Sequence, residues 1–454
     1  MDIRGKKIFI LGAARTGMAA ALLSKQKGAI PFISDIKQES ELVENFKWLR
    51  ENNIEFESGK NSFDRIKDFD ILIISPGIHL SDERINEIKS YNVPILSEIE
   101  FAFRFIDVPI IAITGTNGKS TTTALIGYIL NNSGRSAFVG GNIGNPLSNM
   151  VTDGKYYDCA VVEVSSFMLE NIESFKPNMV VFTNISPDHL DKYKNYEEYI
   201  KAKLNIFKNL DEMDAVILNM DCEDLIRITG DFNFKKYFFS KSQNKGASAY
   251  SIKKEDRYEI VLKRDFDERR IIYKNKNLLG EHNLENVLAA SLASAEFGVE
   301  IDDIQNGVNS FMGLEHRIEF VREINGIRFF NDSKATNIDS TMVALKSFDR
   351  GIVWIAGGRH KGTPYTILKE IVRARVKKII AIGEAADIIE SDLKDVVDIE
   401  NLATDFEGAV KRAFESAEGG DVVLLSPACS SYDMFKNYEE RGKVFKDIVR
   451  GLKI

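Results

Sequence analysis

The chain has 454 residues, 44% of them hydrophobic and 28% charged, enough for about three domains and ordinary for a water-soluble globular protein. No apolar run approaches the ~20 residues a membrane-spanning helix needs, and a net charge of −8 argues against nucleic acid as the main partner. The three cysteines, Cys159, Cys222 and Cys429, are odd in number and lack metal-ligand spacing, and Met1–Lys7 leads into a short strand-like run without a signal-peptide core; a reduced, cytoplasmic compartment and small-molecule substrates are expected.

Short Val/Ile-rich runs alternate with helical stretches almost throughout, the sequence form of parallel α/β units. The first block has strand signals at Lys7–Leu11, Pro31–Ser34, Asp70–Ser75 and Val93–Leu96. After the first of these, Leu11-Gly12-Ala13-Ala14-Arg15-Thr16-Gly17 resembles a dinucleotide fingerprint, with Ala14 in place of the central glycine. A methyl group there crowds a pyrophosphate, which weakens the reading of an NAD-dependent oxidoreductase and leaves a plain strand-to-helix turn open. Asp35 ends the second strand, where such folds place an acid near a ribose or base, and Ser75-Pro76-Gly77 ends another strand on the same expected edge.

A second block opens with Ile110-Ile111-Ala112-Ile113-Thr114-Gly115-Thr116-Asn117-Gly118-Lys119-Ser120-Thr121. An apolar strand stops at a glycine loop, and Lys119-Ser120 opens a helix. This aims backbone N–H groups, a helix N-terminus and an ammonium at one point, which suits a polyphosphate. The hydroxyl beside the lysine suits the magnesium that accompanies ATP. Ile113 occupies the first glycine position of the Walker pattern, so the loop alone reads as an NTPase or kinase.

Further strands are expected at Cys159–Val164, Asn178–Asn184 and Asp214–Asn219. Glu163 at the end of the first is placed to bind magnesium, or to cap a helix with Ser165 and Ser166. Asp188-His189 follows the next strand, where a metal or phosphate is approached, although a histidine taken alone is more often structural. Lys203 reads on composition as a solvated helix lysine. Between Lys236 and Leu279, hairpin-like pieces at Tyr258–Lys263 and Arg270–Lys274 predict an antiparallel appendage on a parallel domain. A helix over Leu284–Phe297 carries Asn286 and is led in by Asn283; amides three apart share a helix face, and capping is the simplest use of them.

The third block begins near Gly313-Leu314-Glu315-His316-Arg317, with strands at Ile327–Asn331, Gly351–Ala356, Lys378–Ile382 and Asp421–Ser426. Polar residues gather after three of them: Asp332 to Asn337, Arg359-His360-Lys361, and Ser426-Pro427-Ala428-Cys429-Ser430-Ser431. Their cations and hydroxyls can grip carboxylates, which predicts a second ligand face.

Taken together, Thr114–Thr121, Glu163–Phe167, Asp188-His189, Gly280–Asn286, His316-Arg317 and Asn331–Asn337 resemble the Mur ligases, ATP-dependent amide-forming enzymes of peptidoglycan precursor synthesis. The resemblance spans essentially the whole chain. Within that family, Ser165-Ser166-Phe167, Asp332-Ser333-Lys334-Ala335-Thr336-Asn337 and Ser426-Pro427-Ala428-Cys429 are similar to the branch that adds D-glutamate to UDP-N-acetylmuramoyl-L-alanine. The implied fold is α/β in three domains: a Rossmann-like N-terminal domain (1–98) for the UDP-sugar, a central P-loop ATPase-like domain (99–312) carrying the antiparallel appendage, and a Rossmann-like C-terminal domain (313–454) for the amino acid.

By the same resemblance, Arg15, Thr16, Asp35 and Gly77 surround the uridine diphosphate, and Asn142 and His189 contact the sugar-nucleotide substrate. Gly115, Thr116, Asn117, Gly118, Lys119, Ser120 and Thr121 hold the phosphates of ATP, while Asn283, Asn286, Arg317 and Asp332 surround the adenosine or its phosphates. Two Mg2+ ions are implied, one at Ser120 and Glu163, the other served by His189 and an N6-carboxylated Lys203. Lys334, Thr336, Lys361, Ser431 and Tyr438 hold D-glutamate. Lys119, Glu163, His189 and Lys203 are the catalytic set. A monomer is expected, with no nucleic acid partner and no membrane insertion. Met168, Arg359-His360 and Tyr438 depart from the family pattern, and the last two bear on amino-acid specificity. The competing classes are a sibling ligase for another amino acid, a folate-polyglutamate synthetase, and a nucleotide-binding regulator that has kept the fold without the activity.

Overall fold

The computed structural model describes residues 1–76, 78, 82–189, 192–264, 267–275, 277–278 and 280–453. The chain divides into two compact units, Met1–Lys274 with Glu285–Asn309, and Asn275–Leu284 with Ser310–Ile454. Three sheets build three α/β domains, and the first two sheets belong to the first unit.

The first sheet contains β1 (Lys7–Leu11), β2 (Ile30–Asp35), β3 (Glu55–Ser58), β4 (Ile71–Ile74) and β5 (Ile95–Ser97) in the order β3-β2-β1-β4-β5, all parallel. The central sheet contains β6 (Ile110–Thr114), β7 (Ala137–Gly141), β8 (Cys159–Glu163), β9 (Met179–Phe182), β10 (Ala215–Asn219), β11 (Lys235–Ser240), β12 (Ala249–Lys253), β13 (Tyr258–Arg264) and β14 (Asp267–Tyr273). Its order is β14-β13-β12-β11-β10-β9-β6-β8-β7. The strands from β7 across to β12 run parallel, and β13 and β14 add on as antiparallel hairpins. The stretch predicted as an antiparallel appendage is corrected in part: β11 and β12 extend the parallel sheet, only β13 and β14 are antiparallel, and all four belong to the edge of the central sheet itself.

At that edge, β14 presents Asp267, Glu268, Arg269 and Arg270 as exposed residues. Its outward backbone is covered at Ile272, whose N–H donates to Gln305 Oε1 (2.9 Å) and whose carbonyl accepts from Asn309 Nδ2 (2.7 Å).

The third sheet, in the second unit, holds β15 (Glu319–Ile324), β16 (Ile327–Asn331), β17 (Ile352–Gly357), β18 (Val376–Ile382), β19 (Asp398–Asn401) and β20 (Val422–Leu425). The order is β15-β16-β20-β17-β18-β19, parallel except for β15. Central strands such as β4, β6, β8, β17 and β20 are buried along their whole length, as expected of parallel sheets with helices on both faces.

Passage from the first sheet to the second is made by the helix Glu98–Phe103, whose first residue is fully buried. Glu98 Oε1 accepts the N–H of Ser148 (2.6 Å), at the helix Leu147–Thr152, and Oε2 has no partner among the described residues. Burial pushes the Glu98 carboxyl up to about 7. Three helices that carry or border candidate residues start on asparagine caps. Asn195, Asn337 and Asn437 each accept the N–H of the residue three further on, Glu198, Ser340 and Glu440. Each cap satisfies an N–H left unpaired at a helix start, worth about 1 kcal/mol.

Candidate active site

In the central sheet β6 lies between β8 and β9, so its C-terminal loop opens where the strand order reverses. The loop's two glycines are obligatory. Gly115 (φ +144°) and Gly118 (φ +81°) adopt backbone that side-chain-bearing residues avoid. A Cβ at the first would sit 2.1 Å from Thr183 Oγ1, and at the second 2.2 Å from Asn286 Oδ1. Thr183 Oγ1 donates to the carbonyl of Asn117 (2.6 Å), and Asn184 Oδ1 accepts that residue's N–H (2.9 Å), which pins the loop to the end of β9. The helix Lys119–Asn132 then begins with no acidic residue in its first turn, leaving its N-terminus electropositive. Ser120 is buried and Thr121 half-buried at that terminus, and Thr122 donates to Asn286 (3.3 Å). Asn286 thus braces the loop from another element; Asn283, in the second unit, is also buried.

Two ammonium groups share one carbonyl. Lys119 Nζ donates to the carbonyls of Gly115 (3.0 Å) and Thr116 (2.8 Å). Lys203 Nζ donates to the same Gly115 oxygen (2.8 Å) and lies 4.9 Å from the ring centroid of Tyr199. Composition marked Lys203 as a solvated helix lysine; the structure corrects this, since the side chain is only 2% exposed. Burial first, and the charge of Lys119 second, hold its pKa well below the ordinary lysine value. Tyr199, absent from the sequence expectations, is one helical turn before Lys203; its hydroxyl lies 3.1 Å from Thr116 Oγ1.

Glu163 ends β8, in register with Ile113 of β6, and is 1% exposed. Its Oε1 accepts the side-chain amide of Asn142 (2.8 Å), while Oε2 is buried with no partner among the described residues. An unpaired buried carboxylate oxygen is costly and marks a place for a cation. Asn142 was expected to face the sugar nucleotide; here its amide is engaged with Glu163. His189 is exposed at φ +53°, with its ring 5.0 Å from that of Phe167 and its Nε2 3.6 Å from Asp188 Oδ2. Among the described residues no three His, Cys, Asp or Glu side chains gather as a protein-only metal site. The donors fit magnesium, which takes one or two carboxylates or hydroxyls and fills its remaining positions with phosphate oxygens and water.

In the first sheet, the loop after β1 is organised by Asp35. Its Oδ2 accepts the N–H of Ala13 (2.7 Å) and its Oδ1 that of Lys37 (2.8 Å). Asn45, which no sequence pattern singles out, donates to the carbonyl of Ala13 (2.7 Å). Arg15 is exposed and donates to the carbonyl of Gly144 (2.8 Å), in the loop that carries Asn142; Thr16 is half-buried. Gly77 lies outside the described residues.

In the second unit the ends of β16, β20 and β17 adjoin one another. Asp332 is buried; its Oδ1 accepts the N–H of Ile318 (3.2 Å) and its Oδ2 the hydroxyl of Ser426 (2.8 Å), and burial pushes its carboxyl up to about 7. Arg317 is exposed and exerts a weaker, opposing pull on that carboxyl. Lys334 Nζ lies 5.6 Å from the ring centroid of Tyr438, and Lys361 Nζ donates to Thr336 Oγ1 (3.3 Å). Ser431, in the segment after β20, is buried. The sequence reading passed over His316 and Arg441 as site residues. His316 Nδ1 is 2.9 Å from Asn331 Nδ2, and its ring meets Tyr438 edge-on at 6.0 Å.

Three family descriptions match this chain: Mur ligase MurD-like, N-terminal domain, over residues 6–97; Mur ligase middle domain, over 113–294; and Mur ligase, glutamate ligase domain, over 316–429. It is 41% identical over 452 residues to the UDP-N-acetylmuramoylalanine–D-glutamate ligase of Geotalea daltonii, covering 100% of this chain and 99% of that protein. It is 39% identical over 456 residues to the enzyme of that name from Thermoanaerobacter sp. (strain X514), covering 100% of both. Among solved structures, UDP-N-acetylmuramate-alanine ligase from Thermotoga maritima superposes with a TM-score of 0.63 at 19% identity, covering 99% of this chain and 100% of that one. A pseudomurein peptide ligase type C from Methanothermus fervidus gives a TM-score of 0.59 at 20% identity, with the same coverage; these two likenesses speak to the fold.

Proposed function

Because this chain belongs to the Mur ligase family, we propose that it joins D-glutamate to UDP-N-acetylmuramoyl-L-alanine while ATP is split to ADP and phosphate. The observation that carries this reading is the β6 loop, where Gly115, Gly118 and Lys119 precede or open a helix in a form that suits phosphates, next to the strand that ends in Glu163, one oxygen of which has no partner among the described residues. The full-length relatives supply the substrate pair through their name.

The chemistry begins from a weak electrophile. The alanine carboxylate of the sugar nucleotide is anionic and has no good leaving group. Transfer of the γ-phosphoryl to one carboxylate oxygen forms an acyl phosphate and releases ADP. The amine of D-glutamate, once deprotonated, attacks the acyl carbon; a tetrahedral oxyanion forms and collapses with loss of phosphate. Positioning and charge stabilisation do most of the work in phosphoryl transfer.

Each domain takes one share. Residues 1–98 bind the uridine diphosphate through Arg15, Thr16 and Gly77, with Asp35 shaping the loop. Residues 99–312 bind ATP through the loop from Gly115 to Thr121, with Lys119 on the phosphates and Asn286 behind them. Asn283, Arg317 and Asp332 border the adenosine or its phosphates. Residues 313–454 bind D-glutamate through Lys334, Thr336, Lys361, Ser431 and Tyr438. Asn142 contacts the sugar nucleotide. Two Mg2+ ions, held by Ser120 and Glu163 and by His189 with Lys203, would supply positive charge to the phosphates.

The depressed pKa of Lys203 supports its carboxylation: a neutral amine adds to CO2, forming an N–C bond and losing a proton. The product is an anion in place of a cation, which relieves the repulsion by Lys119. We place the reaction in the cytoplasm and assign it to a monomer; among the described residues no helix is long and apolar enough to cross a membrane. The test is turnover with substrates supplied singly and together. ADP release is expected only when the sugar nucleotide is present, with sustained release requiring D-glutamate as well. ATP hydrolysis indifferent to both refutes the ligase reading.

A further inference from the structure

Arg441, in the helix Tyr438–Gly451, is fully buried, an unusual setting for a guanidinium without an ion pair among the described residues. Its Nε donates to Ser333 Oγ (3.0 Å), and one terminal nitrogen donates to the carbonyls of Ser333 (2.9 Å) and Cys429 (3.2 Å). The other terminal nitrogen is buried with no hydrogen-bond partner among the described residues, facing Gly358, where an added Cβ would stand 3.2 Å from it. At Gly358 the backbone is at φ +134° and a Cβ would also lie 2.4 Å from the carbonyl oxygen of Ser430. One guanidinium therefore meets the segments that follow β16, β20 and β17.

These three segments carry the residues assigned to the amino acid: Lys334 and Thr336, Ser431, and Lys361. The fourth element is Arg441's own helix, where Tyr438 sits one turn earlier; its carbonyl accepts the hydroxyl of Ser333 (2.8 Å). Burial lowers the guanidinium to about 10, so it stays cationic at neutral pH.

We propose that Arg441 is a positioning residue for the amino-acid substrate, its planar fork setting the spacing of the loops that hold Lys334, Thr336, Lys361 and Ser431. The inference rests on the D-glutamate reading above and goes beyond it, since Arg441 acts through other residues. A lysine keeps the charge but not the fork, so Arg441→Lys separates geometry from charge. In the full chain, the KM for D-glutamate should rise about tenfold, the scale of losing hydrogen bonds from a charged group. The KM values for ATP and sugar nucleotide should stay within about twofold of the parent. Acyl phosphate made without D-glutamate, trapped as the alcohol by borohydride, should be unchanged.

Ser333→Ala removes one acceptor and the tie to Tyr438, and should raise the same KM by about threefold, which keeps the test open if Arg441→Lys fails to fold. An unchanged D-glutamate KM in a folded variant, or equal rises in all three KM values with a lowered melting temperature, overturns the positioning role alone. An unsubstituted protein that forms no acyl phosphate removes the ligase reading and this inference together.

Discussion

Replacing Lys203 by alanine puts the proposed site under the most direct strain. The change deletes three buried methylenes, worth about 2.5 kcal/mol at ~0.8 kcal/mol each. Against that, the parent lysine is disfavoured in the folded state by burial and by Lys119, which lower its pKa. Removing the amine relieves that penalty and so offsets part of the lost burial. The melting temperature should then move by no more than about 5 °C. The unfolded lysine binds a proton up to about pH 10, whereas the folded one releases it earlier. Stability of the unmodified protein therefore rises with pH through that window, and the alanine variant should lack this slope.

Turnover should behave differently, falling at least about 100-fold if the lost group serves a metal directly, as proposed above. Acetate or propionate, diffusing into the vacated volume, should restore about tenfold of it by presenting a carboxylate where the carbamate stood. Coupled ADP release, read beside nucleotide titration and a thermal melt, measures all three quantities. The carbamate assignment fails if turnover survives within about threefold. It fails equally if short carboxylates rescue nothing while nucleotide affinity is intact.

Two further substitutions probe other links. Gly118→Ala imposes left-handed backbone on alanine, costing about 1–2 kcal/mol, and drives its methyl onto Asn286. The KM for ATP should rise at least about tenfold, and an unchanged value would show that this loop does not hold the phosphates. Glu98→Gln tests the buried junction between the first two sheets. The folded carboxyl keeps its proton up to about pH 7 while the unfolded one releases it near its model value of 4.5, so stability falls as pH climbs through that interval. Relative to the parent, the glutamine variant should gain up to about 3 kcal/mol between pH 4 and pH 8 in urea melts, because it lacks the parent's loss. Identical pH profiles for the two proteins would contradict the shift.

The sequence disclosed its long apolar strands and its phosphate loop because those signals are local. Ile110–Thr114 followed by Gly115 and Gly118 can hardly be read otherwise, and the apolar runs of β8, β17 and β20 are equally plain. Six strands were hidden, among them β11 and β12, whose stretch read as antiparallel hairpin pieces. β3 reads Glu-Phe-Glu-Ser and β19 Asp-Ile-Glu-Asn, edge strands with too few apolar residues to announce themselves. β15 is a half-exposed antiparallel edge. β7 ends in Gly140-Gly141, which imitate a turn but are needed because a Cβ at Gly141 would meet the carbonyl of Glu163 at 2.3 Å. Site residues that act across long sequence distances were equally invisible. Tyr199 reaches Thr116, Asn45 reaches Ala13, and Arg441 reaches Ser333, each from a helix whose own pattern calls for nothing unusual. Lys203 was misread for the same reason: its amine reaches the carbonyl of Gly115, 88 residues away in sequence, and lies against the ring of Tyr199.

The covered edge at β14 bears on how copies of this chain meet. Gln305 and Asn309 already occupy the outward amide and carbonyl of Ile272, and the charges on the same strand stay hydrated. An incoming peptide would find the ladder taken at Ile272, and would have to pair beside four hydrated charged side chains, so this border discourages neighbouring molecules from joining into ribbons.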